Sequence, residues 1–202
     1  MKKNIYLRST FTDIKHSFGR FFAVTVIIFM GVLLFVGIKS VGPDLETTVN
    51  DYVKENKVSD LQVQATLGLT EKDKELAESI GDTKAQLAYS FPYVDEADDL
   101  NLQIYSYEEK EDQNLLKVTD GHLPEKEDEV VVDFLLADEF KLGDTLEIKE
   151  DTLKKQKLKI VGFVQSPLYI DDSTRGTTTV GDGQLDGFVY LPIANFEADA
   201  YS

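Results

Sequence analysis

The sequence predicts an α+β protein in which one N-terminal transmembrane helix precedes an acidic mixed-sheet domain. Three observations lead to this prediction. Residues 21–38 carry no charge, and Thr25 is the single polar side chain among them. Residues 1–20 hold five bases and one acid, whereas residues 39–202 hold 16 bases and 36 acids. Short alternating runs and one helical pattern, separated by Gly and Asp turns, fill the acidic part, which is typical of mixed or antiparallel sheets.

The apolar run at 21–38 is long enough to cross a membrane. Its eighteen residues would extend about 27 Å as a helix, close to a hydrocarbon core of about 30 Å. A cleaved signal and a buried core helix are the alternatives. Ser40-Val41-Gly42 has the form of a cleavage site, but Pro43 follows and should block cleavage. A core helix would show a polar stripe, and this run has none. We therefore interpret it as a transmembrane helix.

The distribution of charge predicts the orientation. Because bases precede the span, residues 1–20 should be cytoplasmic and the acidic domain should lie outside. Residues 1–20 form a basic amphipathic segment that suits a helix in the inner membrane interface, or a partly ordered tail. Gly31 and Gly37 would permit close helix approach in the span, although glycine is also frequent in membrane helices. The apolar positions of the basic segment are Ile5, Leu7, Phe11, Ile14 and Phe18.

Residues 39–57 predict a stalk helix. Pro43 can start a new helical turn, after which Leu45, Val49 and Val53 fall on one stripe. The following domain, 58–202, is predicted in three parts: strand–helix–strand at 58–98, a β-rich insertion at 99–165, and the start of a returning half at 166–202.

The first part, 58–98, has marked helix ends. Thr70 and Asp73 have capping-box spacing, and Gly81 supplies a left-handed C-terminal residue. Leu76 and Ile80 should lie on the inner face of this helix. A half-buried strand is predicted before it and an edge strand containing Pro92 after it. The apolar positions of the first strand are Leu61, Val63, Ala65 and Leu67.

The rest of the domain is predicted to consist of strands and turns. In the β-rich part, Gly162 indicates a bulge or close packing, and a short helix is predicted at 134–140. A Gly/Thr-rich loop at 175–187 precedes the last strand. Turns are predicted at Asp120-Gly121 and Gly143-Asp144, and strands at 100–107, 130–132, 146–148, 158–164 and 188–192.

Several classes of function are disfavoured. The acidic domain lacks the clustered bases that nucleic acid requires, and the chain has no cysteine for disulfide or thiol chemistry. The sequence contains no G-x-x-x-x-G-K-[ST] motif, so we expect no ATPase in this chain. No Ser–His–Asp or Cys–His set can be assembled. We therefore predict no catalytic, cofactor-binding or metal-binding residue and no cofactor.

A few polar residues are candidates for sites. Asp95, Glu96, Asp98 and Asp99, like Asp171 and Asp172, lack the spacing of a calcium loop, so a solvated acidic face is favoured. His122 is interpreted as a turn residue. Arg175 is isolated among acids. It could pair with Asp171 or Asp172 as a loop clamp, or contact a partner, and the structural role is favoured.

An ordered set of motifs resembles a known family. They are Gly121 and Pro124, Glu129 to Val132, Leu142 to Asp144, and Val161-Gly162, behind a basic segment and one span. This pattern resembles the FtsX-like, or MacB-type, permeases of ABC transporters, and "YIDDSTRGTTTVGDGQLDGFVYLP" is similar to their large Gram-positive members. Each motif alone is moderately specific, whereas their order and spacing are more so.

The resemblance implies a ferredoxin-like subdomain with a small β-rich subdomain inserted in it. It also implies a bacterial plasma-membrane location and a separate cytoplasmic ATPase subunit as partner, with a second permease copy as a further candidate partner. Such permeases couple ATP hydrolysis to motion of the outer domain, for export or signalling of peptides, drugs or lipoproteins.

The chain departs from the family in one respect. The further spans of a permease, and the helix between them that touches the ATPase, do not occur before Ser202. We therefore expect an N-terminal fragment. A single-pass anchored domain that binds a peptide or cation is the alternative, and an anchored hydrolase is a third hypothesis without an assembled site.

Overall fold

The computed structural model describes residues 12, 17–65, 68–95, 99–110, 112–171 and 173–197. The chain forms two compact units, Met1–Val53 and Lys54–Ser202. Most of the basic amphipathic segment predicted at 1–20 lies outside the described residues.

The N-terminal unit is dominated by one helix, α1 (Phe18–Glu55), of 38 residues. By length and composition it can cross a membrane, and none of its residues is buried in the protein. Pro43 was predicted to start a new turn, but it lies inside α1. Proline removes one backbone hydrogen bond from a helix, and the helical bonding continues on both sides. The predicted span and stalk are thus one continuous helix.

The segment that follows differs from its prediction. No strand forms at 60–65, where Leu61 is 78% exposed and Val63 is 61% exposed. An alternating run becomes a strand only if a neighbouring strand completes its hydrogen-bond ladder, and no described strand pairs with this one. The predicted half-buried strand is therefore wrong over the described residues. Leu67 lies outside them.

Helix α2 (Glu71–Glu78) forms where it was predicted. The Asp73 carboxylate accepts hydrogen bonds from the Thr70 N–H at 2.8 Å and the Thr70 hydroxyl at 2.7 Å, and Gly81 has a positive φ of 62°. Leu76 and Ile80 are each 66% exposed, so the predicted inner face is wrong. The capping signals are local, whereas burial of this face requires a neighbour that the described domain does not provide.

The core of the acidic domain is one mixed sheet of seven strands. The strands are β1 (Ser90–Asp95), β2 (Leu100–Tyr107), β3 (Lys117–Gly121), β4 (Glu129–Asp133), β5 (Thr145–Glu147), β6 (Lys157–Gln165) and β7 (Gly187–Pro192). Their order in the sheet is β1-β2-β7-β4-β6-β3, with β5 also paired to β6. The β2–β7 and β4–β6 pairs are parallel and the others antiparallel.

This sheet confirms an α+β domain with mixed pairing and most of the predicted strands. The helix predicted at 134–140 is a 3-10 helix, η1 (Phe134–Asp138), and a second short one, η2 (Ile193–Asn195), follows β7. Strands from all three predicted parts join the one sheet, and β7 lies between β2 and β4. The ferredoxin-like arrangement stays a prediction.

The two faces of the sheet have separate cores, because side chains alternate along each strand. One core contains Leu102, Ile104 and Ile160. The other, which we call the aromatic face, is formed by the five buried residues Val131, Val161, Val164, Phe188 and Tyr190, with Tyr105 and Tyr169 among the partly buried side chains packed against them. The segment that connects β6 to β7 supplies Tyr169.

Gly162 lies at a position of close packing between β6 and β3, as predicted. The register of the β4–β6 pair shifts beside it, between Ile160 and Gly162, and the register of the β3–β6 pair shifts one residue further on, between Phe163 and Val164. A Cβ atom at position 162 would lie 2.4 Å from the backbone oxygen of His122. Gly121, its partner across the ladder, has a φ of 74° and is as tightly packed.

Candidate functional site

A buried ion pair is the most distinctive polar feature of the described domain. The Nε of Arg175 donates to Oδ2 of Asp133 at 2.5 Å, and its Nη2 donates to Oδ1 at 2.8 Å. The two side chains are 1% and 0% exposed. A planar guanidinium facing a carboxylate in this way makes the strongest type of side-chain hydrogen bond.

Local structure places both partners. Asp133 ends β4 and caps η1, since its carboxylate also accepts from the Leu135 N–H at 3.2 Å. Arg175 lies in the β6–β7 connection, and its Nη1 donates to the backbone oxygen of Asp171. The guanidinium carbon is 5.3 to 5.7 Å from three aromatic ring centres, at cation–π distance. These rings belong to Phe134, Tyr169 and Phe188.

Tyrosines continue this cluster across the aromatic face. The hydroxyls of Tyr105 and Tyr169 are 2.8 Å apart, and the Tyr190 hydroxyl lies 2.9 Å from Oγ of Ser166. The Tyr169 ring stacks on Phe188 with centres 4.8 Å apart. Burial raises the pKa of both the Tyr105 and Tyr169 hydroxyls above the usual value. Both phenols are therefore held in the neutral form.

The raised pKa of Tyr169 predicts an alkaline limit to stability. In the unfolded chain this phenol ionises near pH 10, whereas in the folded domain it stays protonated. The unfolded state then binds fewer protons, so the free energy of unfolding should fall as the pH rises above about 10. Denaturant unfolding at a series of pH values from about 8 to about 11 measures this slope. The slope should be shallower in Tyr169→Phe, and equal slopes would contradict the assignment.

A second polar anchor lies near the end of the same connection. The Asn101 side-chain amide donates to Asp182 at 2.8 Å, and the Asn101 N–H donates to the Asp186 carboxylate at 2.7 Å. Gly181, with a φ of 59°, leaves no room for a Cβ atom beside Asn101. The predicted Gly/Thr-rich loop is thus confirmed as a loop held by specific contacts.

The remaining candidates from the sequence are dispersed. His122 is exposed, and its Nδ1 lies 2.8 Å from the backbone oxygen of Leu123. Asp171 is exposed, and hydrogen bonds from Ser173 lower its pKa. Asp95 is buried and Asp99 is exposed. Within the described ranges, no group of three His, Cys, Asp or Glu side chains is placed to hold a metal ion. Glu96, Asp98 and Asp172 lie outside those ranges.

One open groove of about 490 Å³ lies between β3 and η1. Its lining is mostly apolar, and Thr119, Asp120 and Lys141 are its polar residues. The lining residues are Thr119, Asp120, Phe134, Ala137, Phe140, Lys141, Leu142 and Phe163. Five of these eight residues are apolar, and the Thr119 hydroxyl donates to the Phe163 backbone oxygen at 2.9 Å, so the groove has the character of a contact surface.

Comparison of this chain with protein-family models, with curated proteins and with solved structures found no match.

The sequence identified Arg175 but not its partner. Asp171 contributes its backbone oxygen, while the carboxylate belongs to Asp133, 42 residues away. A signal for Asp133 was present, since it directly follows three valines of a buried strand. An acid in that position must be paired or hydrogen-bonded. Because both side chains are enclosed, these contacts support the structural role for Arg175, which is to position the β6–β7 connection.

Proposed function

We propose that this chain is the first span and outer domain of a permease subunit of an ABC transporter. The observation that carries the proposal is the order of the motifs behind the apolar helix, from Gly121 and Pro124 to Val161-Gly162. In this role the domain works by mechanical coupling and not as an enzyme. A separate cytoplasmic ATPase supplies the energy, and peptides, drugs or lipoproteins are the substrates exported or sensed.

The positions of the motif residues support a shared architecture. Gly121 and Gly162 face each other across β3 and β6. The Glu129 carboxylate accepts from the Glu125 N–H at 2.8 Å, which closes the loop after Pro124. Asp144 accepts from the Lys141 N–H at 2.8 Å in the turn before β5. The glycines allow close approach of two strands, and the carboxylates accept backbone N–H groups in turns. The motifs therefore support a fold in common with these permeases more directly than they support transport.

The proposed orientation places residues 1–20 in the cytoplasm and the acidic domain outside a bacterial plasma membrane, of the Gram-positive type. Its support is the basic N-terminal segment and the strongly acidic domain. Negative charge on the outer domain would also attract cationic peptides electrostatically.

Thiol labelling checks this orientation, since the chain has no cysteine of its own. In intact cells a membrane-impermeant maleimide should label Asp138→Cys, an exposed position of the domain. It should label Lys3→Cys only after the membrane is permeabilised. Labelling of Lys3→Cys in intact cells, with Asp138→Cys protected, would reverse the proposed orientation.

The test of the permease proposal is isolation of the protein from its native membrane with its natural partners. We expect a nucleotide-binding subunit to co-purify, to be labelled by photoreactive azido-ATP, and to hydrolyse ATP in a vanadate-sensitive way. An unrelated single-span protein carrying the same tag is the control. A preparation with no azido-ATP-labelled subunit would contradict the proposal.

A single-pass anchored binding domain is the second candidate. The observation that favours it is that the described residues contain one helix able to cross a membrane and one folded acidic domain. It predicts peptide or cation binding by the protein without any ATPase. Calorimetric titration of the purified chain with a cationic peptide and with Ca²⁺ tests this candidate, and absence of binding in both titrations would contradict it.

A further inference from the structure

The connection between β6 and β7, residues 166–186, is long and has no helix or strand among its described residues beyond one isolated bridge, Thr177 to Gln184. We call it the strap. Most connections in compact domains have about 4–6 residues, and ordered loops of more than about 12–15 residues are usually functional. The strap covers part of the aromatic face, because Tyr169 and Arg175 pack on Phe188.

The strap is attached to the sheet differently from the strands. Each strand is joined to its neighbours by backbone ladders. The described strap residues join the sheet through side chains, with a backbone bond at the last residue, where the Asp186 N–H donates to the Asn101 oxygen. Other backbone bonds of the strap stay within it, such as Leu185 to Gly176. The strap can therefore leave the sheet without breaking a ladder.

The Arg175–Asp133 pair makes this separation easier than an apolar contact would. A buried ion pair gains Coulomb energy but loses hydration, so its net contribution to stability is small. If the strap opens, both charges regain water. The closed geometry is nevertheless specific, because two hydrogen bonds fix the guanidinium on Asp133. Such a pair holds the strap in one position, but the free energy needed to separate the two side chains is low.

We propose that the strap opens as a unit of its own, that the Arg175–Asp133 pair is its latch, and that opening uncovers Phe188 and Tyr190 while the sheet stays folded. Local units of low stability are where moving parts of proteins are found. The proposal does not depend on the permease function, because it concerns the domain alone.

Thr178 offers a probe of the opening. Its Oγ1 is buried and has no hydrogen-bond partner in the structure, so Thr178→Cys exchanges a small buried group for another. The chain has no other thiol. In the full chain in detergent micelles, the introduced thiol should react with a disulfide reagent much more slowly than a free thiol. The reaction rate of this thiol is then measured at urea concentrations below the unfolding transition. It should rise at lower urea concentrations than the rate of amide exchange in β4 and β6.

Variants in this background test the latch. Arg175→Met should raise the labelling rate roughly a hundredfold or more, as expected when one partner of a buried pair is removed. The double variant Arg175→Met/Asp133→Asn leaves no unpaired charge, but the Asp171 backbone oxygen and the introduced amide at position 133 lose the hydrogen bonds of the guanidinium. It should therefore label faster than Thr178→Cys alone and more slowly than Arg175→Met. Lys154→Met is the matched control, since Lys154 is an exposed cation on the Ala194 oxygen, and its labelling rate should not change.

Two results would overturn the proposal. If the double variant labels as slowly as Thr178→Cys alone, apolar packing holds the strap and the pair is no latch. If the thiol becomes reactive only together with amide exchange in β4 and β6, the strap does not open separately. The urea series uses no latch variant, so the second result can be obtained even if Arg175→Met fails to fold.

Discussion

Replacing Leu102 by alanine is expected to lower the free energy of unfolding of the acidic domain by about 2–5 kcal/mol. Leu102 is 0% exposed and lies on β2, which is joined to β1 on one side and β7 on the other. Truncation removes apolar contacts and leaves a cavity that surrounding strands cannot easily fill. Urea unfolding of the full chain in micelles, followed by the near-ultraviolet circular dichroism of its nine tyrosines, measures the change.

Leu76→Ala is the matched control for this substitution. Leu76 is 66% exposed on α2, so its loss should change the free energy of unfolding by no more than about 0.5 kcal/mol. Comparing Leu76→Ala with Leu102→Ala also tests whether Leu76 is exposed, as in the structure, or buried on an inner face, as the sequence pattern predicts. A cost at position 76 equal to that at position 102 would mean that α2 is packed after all.

Gly162→Ala is expected to lower the free energy of unfolding by about 3 kcal/mol through overpacking. The added Cβ atom would lie 2.4 Å from the His122 oxygen and 3.1 Å from the Asp120 oxygen. Both are backbone atoms, so no side-chain rotation relieves the clash. Strand β3 must therefore move away from β6, and amide exchange in β3 should accelerate more than exchange in β4.

Two other glycines separate the effect of a positive φ from the effect of steric overlap. Gly143 has a φ of 93°, but a Cβ atom added there would meet nothing within 4 Å, whereas Gly121 has both a positive φ and a Val161 oxygen 2.1 Å from such an atom. Gly143→Ala should then show the backbone cost alone, about 1–2 kcal/mol, and Gly121→Ala should be at least as damaging as Gly162→Ala. Equal, small effects at all three positions would show that β3 adapts without loss.

The strands confirmed from sequence share a common property. Residues 100–107 alternate between apolar and other side chains and match β2 from end to end, while the three valines before Asp133 mark β4. These strands are buried on at least one face, so their composition reports their environment directly. Residues 60–65 show the same alternation but remain exposed and unpaired among the described residues. Pattern alone does not distinguish a paired strand from a segment without a neighbour.

The candidate site could be predicted from the sequence less completely than the strands. Arg175 stood out because a lone base among acids needs a partner, and the two acids nearest in sequence were reasonable choices. The structure instead uses Asp133, at the end of a strand in the middle of the sheet. The tyrosines of the aromatic face likewise come together only because β2 and β7 are neighbours.

By itself the sequence determined a membrane-length apolar helix, an acidic α+β domain, the main strands, and the glycines that mark turns and close contacts. These features depend on composition, periodicity and backbone conformation, which are properties of neighbouring residues. The tertiary structure decided the strand order, the exposure of Leu61 and Leu76, and the pairing of Arg175 with Asp133. Each of these depends on contacts between residues distant in the chain, and burial or pairing is a property of both partners rather than of either segment alone.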